Sequence, residues 1–259
     1  MINKIFFPLT FEVKYLIVVS TSGNSGMKNK INSNSYNITD IFQTVSNAKY
    51  DLMNDVMSFG IHRLWKKYFV DQLNTRHKKN QKILDIASGT GDIFNLLPQS
   101  KNLFALDPIA TMHEISKQKN SKKKIDYQVG YAEKLPYPKN YFQTISCTYG
   151  VRNFKDRKVA FREIYRCLKQ KGLFLFMEFG MPKNELLQKP YKFFLEGFLP
   201  FSGSIIAKDR HSYQYLADSI KQFPSQGIIQ KELENAGFLN LETIDFLSGA
   251  NSIYIVQKK

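Results

Sequence analysis

Apolar and polar positions follow two rhythms along this chain. Ile61, Leu64, Trp65, Tyr68, Phe69 and Leu73 recur at three- and four-residue intervals, which predicts a helix with one apolar face. Lys82 to Ile86 is instead a short, almost continuous apolar run that breaks at Ala87-Ser88-Gly89-Thr90-Gly91-Asp92, the pattern of a buried strand entering a loop and a short helix. The alternation continues with a strand at Leu103–Leu106 ending at Asp107, a helix from Ala110 to Lys119, a strand at Tyr127–Val129 and another at Phe142–Thr148. A helix carrying Phe161, Ile164, Tyr165 and Leu168, closed by Gly172, precedes a strand at Leu173–Met177. Strands and helices in alternation with short loops imply an α/β fold, a mostly parallel sheet with helices on both faces. Ile228–Gly237 and Leu241–Val256 add one more helix and two edge strands.

The rhythm fails in two places. Residues 1–39 carry Ser, Asn, Thr, Gly and Lys from Ser20 on, with no acidic residue between Ser20 and Asp40, and read as a disordered leader or a transit segment, with Met27 as an alternative start. Order is expected from Asp40, an N-cap before Ile41 and Phe42, so that 40–259 forms one domain. The second break is an insertion around 181–225, where Tyr191, Phe193, Phe194, Phe198 and Phe201 are too many for a plain exposed loop and suit either core or a lid over an apolar ligand.

Composition narrows the chemistry. Thirty-seven Lys and Arg against 22 Asp and Glu leave a formal charge of +15, which invites anionic partners, although clusters such as Lys122-Lys123-Lys124 also suit a solvated face. The longest clean apolar run near the N-terminus, Leu16–Val19, is far below the ~20 residues of a spanning helix. Cys147 and Cys167 cannot build a disulfide framework, and four scattered histidines form no metal-ligand spacing, so no metal is expected.

The chemical signal is the glycine loop after the first core strand, with Asp107 ending the next one. Glycines there let backbone approach a ligand closely, and an acidic residue some 20 positions on can accept from both hydroxyls of a ribose. Alone the loop fits a tight turn equally well. Gly-x-Gly-x-x-Gly is absent, so a nucleoside bearing an amino-acid group suits it better than a pyrophosphate. Tyr131-Ala132 follows the third strand, where an adenine would lie.

With these three elements in order the chain resembles the S-adenosylmethionine-dependent methyltransferases of the Rossmann-like class I fold, and among them the C-methyltransferases of ubiquinone and menaquinone biosynthesis. The narrower resemblance rests on Lys49 through Lys66, on Tyr149-Gly150-Val151-Arg152-Asn153, on Met177-Glu178-Phe179 and on Ser212 through Ile220, and it covers roughly 42–246. It implies S-adenosyl-L-methionine as cofactor, with Asp85, Gly89, Thr90, Gly91, Asp107, Tyr131, Ala132 and Thr148 around it. It also implies a polyprenylated benzoquinol substrate, demethylmenaquinol being the alternative, with Arg152, Asn153 and Tyr50 as catalytic residues. Ser88 and Tyr131 depart from the family's pattern and leave open a non-catalytic subunit of a quinone-biosynthesis complex.

The implied reaction needs a base for a phenol of pKa about 10, a group to stabilise the phenolate, and in-line positioning of the ring carbon. Arginine remains protonated, so Arg152 is expected to hold a phenolate or orient a water that Asn153 fixes. The competing reading of Arg152 is a surface ion pair with Asp156. The same resemblance implies peripheral membrane contact, a homodimer and membership in a quinone-biosynthesis complex. The acid-poor leader suggests the matrix side of the mitochondrial inner membrane, or the cytoplasm with peripheral membrane contact if the source is bacterial. A nucleic-acid methyltransferase is disfavoured, since neither Asn-Pro-Pro-Tyr nor Pro-Cys occurs.

Overall fold

The computed structural model describes residues 17–18, 55, 58, 60–76, 80–98, 102–207 and 210–259. The expected helix start at Asp40–Phe42 and Tyr50 lie outside them. Among the described residues eight strands form one sheet: β1 (Ile17–Val18), β2 (Ile83–Ile86), β3 (Leu103–Asp107), β4 (Ile125–Val129), β5 (Phe142–Thr148), β6 (Leu168–Phe179), β7 (Phe238–Phe246) and β8 (Asn251–Lys258), in spatial order β1-β7-β8-β6-β5-β2-β3-β4. The run from β4 to β6 is parallel, whereas β8 pairs antiparallel with both β6 and β7, and β1 antiparallel with β7.

Both faces of the sheet are covered, which is why its inner strands read as unbroken apolar runs. On one face Ile83, Leu175, Met177 and Ile253 pack with Trp65, Phe69 and Leu73 of α1 (His62–Arg76), with Ile93 and Phe94 of α2 (Asp92–Leu96), and with Leu216 and Ile220 further along the chain. The alternate residues Leu84, Ile86, Phe174 and Phe176 meet Phe161 and Ile164 on the other face. The helix carrying these two, α4 (Arg157–Cys167), is held at its start by Asp156, whose carboxylate accepts from the Lys158 and Val159 amides at 2.9 and 3.1 Å. Between α2 and α4 lies α3 (Ala110–Lys119).

Three expectations shift. The buried stripe of α1 is His62, Trp65, Lys66, Phe69, Val70 and Leu73, while Leu64 is 49% exposed, so the helix is turned to carry a lysine and a histidine inward. The helix expected through Leu168 stops at Cys167, and Gly172 closes no helix: it follows Lys171, which has φ 59°, inside β6. A Cβ at Gly172 would lie 2.7 Å from the Lys169 carbonyl, so the bend needs glycine. Finally, β4 begins at Ile125, two residues before the expected start.

The segment after β6 is helical: α5 (Glu185–Phe193), a π-turn at Phe194–Phe198, α6 (Leu199–Ser202), a second π-turn at Gly203–Ala207 and α7 (Arg210–Gln222), followed by α8 (Gln226–Asn235). Its aromatic and aliphatic residues divide, with Leu195, Leu199, Tyr213 and Leu216 in the core and Phe193, Phe201 and Ile205 exposed.

His62 links α1 to a testable pH dependence. It is buried, its Nδ1 lies 2.8 Å from the Ser58 hydroxyl, and burial together with the nearby Lys66 charge lowers its pKa to about 4. Below its ordinary value the unfolded chain binds a proton that the folded chain refuses, so stability should drop as pH falls from about 6.5 to about 4, by up to ~1.4 kcal/mol per pH unit. Denaturant titrations of wild type and His62→Gln across that window should converge towards acid, and parallel curves would count against the assignment.

Candidate active site

At β2 the strand order reverses: the chain proceeds outward through β3 and β4, then returns to lay β5 on the other side of β2. The loops leaving β2 and β5 therefore part, and a crevice opens at their carboxyl ends, the usual ligand position in such sheets. It is lined by Lys66, Ala87, Ser88, Gly89, Thr90, Asp92, Ile93, Thr148 and Tyr149.

The glycine loop is shaped by left-handed backbone at Ala87 (φ 52°), Gly89 (φ 51°) and Gly91 (φ 77°). A Cβ on Gly91 would fall 2.0 Å from the Ser116 hydroxyl, so this glycine lets α3 close against the loop. A Cβ on Gly89 would meet nothing within 4 Å, which leaves room there for a ligand to approach the backbone. Gly150, after β5, has the opposite constraint, since its Cβ would collide with Ala87 at 2.6 Å and Cys147 at 2.8 Å. The two loops thus meet closely on one side of the crevice.

Asp107 ends β3 with its carboxylate oriented by two amides, Gly89 N–H to Oδ2 at 2.8 Å and Ile109 N–H to Oδ1 at 2.9 Å. Burial raises its pKa, against the pull of those two amides. Each oxygen keeps acceptor capacity for a ribose hydroxyl. Ala132 is buried, whereas Tyr131 is 57% exposed, which suits a face open to stacking. Asp85 is placed differently from these: it is 1% exposed, does not line the crevice, and accepts from the Ser146 hydroxyl at 2.6 Å. Burial raises its pKa to about 7.

At the other side of the loop, Asp92 opens α2. Its carboxylate takes Lys66 Nζ at 2.8 Å and Lys119 Nζ at 3.4 Å, and Lys119 also donates to the Thr90 hydroxyl at 3.1 Å. Burial works against the Asp92 charge, but the two lysines outweigh it and hold the pKa at about 2.

Beyond β5, Tyr149 (φ 58°) stacks on Phe179 with ring centroids 4.2 Å apart, and the turn Val151–Asn153 follows. Arg152 does not pair with Asp156. Its NH1 donates to Glu178 Oε1 and to the Tyr149 carbonyl, both at 2.6 Å, while its backbone N–H donates to Glu178 Oε2 at 3.0 Å. Both side chains are almost fully buried, at 4% and 0% exposure. Beside them the Tyr215 hydroxyl donates to Asn153 Oδ1 at 2.7 Å. Burial raises the pKa values of Tyr191 and Tyr215, with the Arg152 charge opposing, so both phenols stay protonated near neutral pH.

The structure thus brings Gly89, Thr90 and Thr148 to one crevice, sets Asp107 against its loop, and places Arg152 and Asn153 beyond the adjoining strand end. Tyr50 lies outside the described residues. Glu178, Tyr215 and Lys66 stand inside the stretches that carry the resemblance but were given no site role; their signals were a lone carboxylate in an apolar strand, a tyrosine in a polar helix, and a lysine three residues after Arg63. Among the described residues no cluster of His, Cys, Asp and Glu can hold a metal ion. The open space over Gly89, the amide-fixed Asp107 carboxylate and the buried Ser88 hydroxyl, which has no partner, fit a nucleoside carrying an amino-acid group.

Known proteins share this fold. A SAM-dependent methyltransferase from Thermotoga maritima superposes with a TM-score of 0.60 at 20% identity, covering 85% of this chain and 99% of that one. Another, from Mesorhizobium loti, has a TM-score of 0.52 at 14% identity and covers 73% and 96%. In sequence, the ubiquinone/menaquinone biosynthesis C-methyltransferase UbiE of Francisella philomiragia is 39% identical over 229 residues, 85% of this chain and 90% of the relative. The protein of the same description from Shewanella frigidimarina is 37% identical over 225 residues, 84% and 88% of the two chains. The profile of the ubiE/COQ5 methyltransferase family matches residues 29–258, and the chain therefore belongs to that family of S-adenosylmethionine-dependent methyltransferases.

Proposed function

We propose that the chain methylates a ring carbon of a polyprenylated benzoquinol, with demethylmenaquinol the second acceptor to test because the relatives are described by both pathways. The observation that carries this reading is the Arg152–Glu178 pair, buried beside Asn153 and Tyr215 at the carboxyl edge next to the crevice. The cofactor supplies an electrophilic methyl group on sulfur. Asp107 and the backbone at Gly89 hold its nucleoside, with Tyr131 and Ala132 beside the base and Thr148 near the reacting end.

The acceptor carbon becomes nucleophilic when a neighbouring phenol loses its proton. Arg152 cannot remove it, being protonated throughout the working range, and Tyr215 and Tyr191 are donors for the reason given above. Arg152 instead orients a water that takes the phenol proton and passes it to solvent, and its guanidinium holds the phenolate oxygen that results. Tyr215 fixes which end of the Asn153 amide accepts, leaving the nitrogen to donate to the same water. Glu178 balances the guanidinium charge, so the pair acts by oriented N–H groups and not as a bare cation. Cys147 takes no part: it is fully buried and burial pushes its thiol well above the ordinary range.

Residues 40–259 form the catalytic domain in this reading, and the segment from 181 to 225 is the lid through which a prenyl tail leaves the site. That segment exposes Leu186 (84%), Phe193 (75%), Phe201 (61%) and Ile205 (61%) near Lys189 and Lys192, the surface of a peripheral membrane contact. Among the described residues no helix is long and apolar enough to cross a membrane. A homodimer, a place in a quinone-biosynthesis complex and a mitochondrial setting belong to the same reading and rest on the resemblance and the acid-poor leader. The relatives named above are bacterial, and for them a cytoplasmic setting with peripheral membrane contact is the counterpart.

Arg152→Lys should preserve cofactor affinity and lower kcat by about 100-fold or more, since the planar fork is lost, with partial recovery towards pH 10 as the phenol ionises unaided. Glu178→Gln should lower kcat with little effect on cofactor affinity. Turnover on a short-tailed benzoquinol analogue, measured after calorimetry shows equal cofactor binding, checks both. Near-wild-type kcat in Arg152→Lys would remove Arg152 from the chemistry, and no methylation of either quinol class would sink the substrate assignment.

Anionic vesicles should co-sediment the protein at low salt and release it at high salt, and Phe193→Glu with Phe201→Glu should abolish the association. Retention by the double variant would place the contact elsewhere. Among the described residues, a chain starting at Met27 loses the two-residue β1 pairing, and it should melt within about 4 °C of the full chain, as scanning calorimetry would show.

A further inference from the structure

The segment from 181 to 225 leaves the sheet after β6 and rejoins it at α8, and one buried carboxylate holds both ends. Asp245 of β7 is 4% exposed; its Oδ2 accepts from Lys183 Nζ at 2.5 Å, and its Oδ1 accepts from Gln226 Nε2 at 3.1 Å and from the Ser252 hydroxyl at 2.7 Å. Lys183 stands just before α5, and Gln226 is the first residue of α8. A carboxylate buried this deeply is costly unless donors satisfy it, and two of its three donors come from the points where the chain enters and leaves the segment.

Apolar packing does not replace this clasp. Between the two ends and the sheet lies a cavity of about 310 Å³, bounded by Lys183 and Gln188 on the entering side, Phe223 and Gln226 on the leaving side, and Glu178 and Ser252 of the sheet. No residue of α5 is buried, whereas α7 seats Tyr213, Leu216 and Ile220 in the core. The entering chain is also held through its backbone, the Lys183 amide donating to the Ser248 carbonyl at 2.6 Å and the Asn184 amide to the Ser248 hydroxyl at 3.1 Å. Those bonds tie it to the turn after β7; the Lys183–Asp245 pair ties it to the sheet itself. Tyr191 is the residue by which α5 faces the site: it packs against the core, its ring stacks on Phe194 with centroids 6.2 Å apart, and the Arg152 charge acts on its phenol.

We propose that Asp245 is a positioning residue for the acceptor: by gripping Lys183 and Gln226 it sets how α5 lies over the carboxyl edge, and so where Tyr191 meets the quinol ring beside Arg152. The assignment rests on the reading of 181–225 as the lid of a quinol site and adds to it the group that seats the lid. Asp245 does not line the crevice, and the hydrogen bonds of the Arg152–Glu178 pair do not include it, so a loosened α5 costs acceptor binding and leaves the cofactor and the catalytic pair in place.

Asp245→Asn keeps the shape and removes the charge. It should raise KM for a short-tailed benzoquinol analogue about 10-fold, the scale of a weakened hydrogen bond to a charged group, with kcat and S-adenosylhomocysteine affinity within about threefold of wild type. Lys183→Met should raise KM as well, and because the two changes break one contact, the double variant should be no worse than Asp245→Asn alone. Hydrogen exchange adds a readout that needs no substrate: amides of 183–193 should exchange faster in Asp245→Asn, and those of β2 and β5 should not. Unchanged KM, additive losses in the double variant, or exchange raised equally in β2 and β5 overturns the proposal, the last by showing a loss of stability alone. If Asp245→Asn does not fold, Lys183→Met, at a side chain 38% exposed, carries the same measurements. Wild-type protein that binds S-adenosylhomocysteine but methylates no quinol refutes the quinol reading, and the exchange pattern then decides by itself whether Asp245 seats α5.

Discussion

Parallel strands cannot be joined by tight turns, and the consequences of that constraint organise this molecule. Each connection has to cross a face of the sheet, so both faces are covered, and the strands between them need apolar side chains pointing both ways. Because β2 has a parallel neighbour on each side, its outgoing loop must follow one while the loop after β5 follows the other. The crevice is what remains between them. Its shape is then refined by sites where a side chain is forbidden: Gly91 admits α3, and Gly150 lets the loop after β5 touch Ala87.

Charge is buried at two points on this edge, in different ways. Arg152 and Glu178 form a closed pair, with three hydrogen bonds to the carboxylate from Arg152 and the Phe179 amide. Removing one member of such a pair typically costs about 3–5 kcal/mol because its partner is stranded. Lys66 and Lys119 share the single Asp92 carboxylate, at 2.8 and 3.4 Å.

Most of the elements were legible because the periodicities are strong: the runs at Ile83–Ile86, Leu103–Asp107 and Phe142–Thr148 stand where the apolar pattern placed them. The phase of α1 was not. Counting Leu64 as core turned the stripe away from Lys66 and His62, and only the packing of Trp65 against Phe179 and Phe246 shows which face is inside. Glu178, quoted only as part of a resembling stretch, was given no role for a related reason, since a single carboxylate in an apolar strand has no local partner to mark it; its partner lies 26 positions earlier. The glycine loop and Asp107 were legible as chemistry because backbone conformation and strand order bring them together without help from distant segments.

Trp65 is the one tryptophan in the sequence. It sits 6% exposed between Phe179 at the carboxyl end of β6 and Phe246 at that of β7, and its next neighbour along α1 is Lys66 at the crevice. The molecule therefore contains a single indole fluorophore that joins the rim of the crevice to the strand bearing Glu178. Its emission, excited at the red edge where the 14 tyrosines do not absorb, is an intrinsic optical record of how α1 seats on the sheet and requires no attached dye.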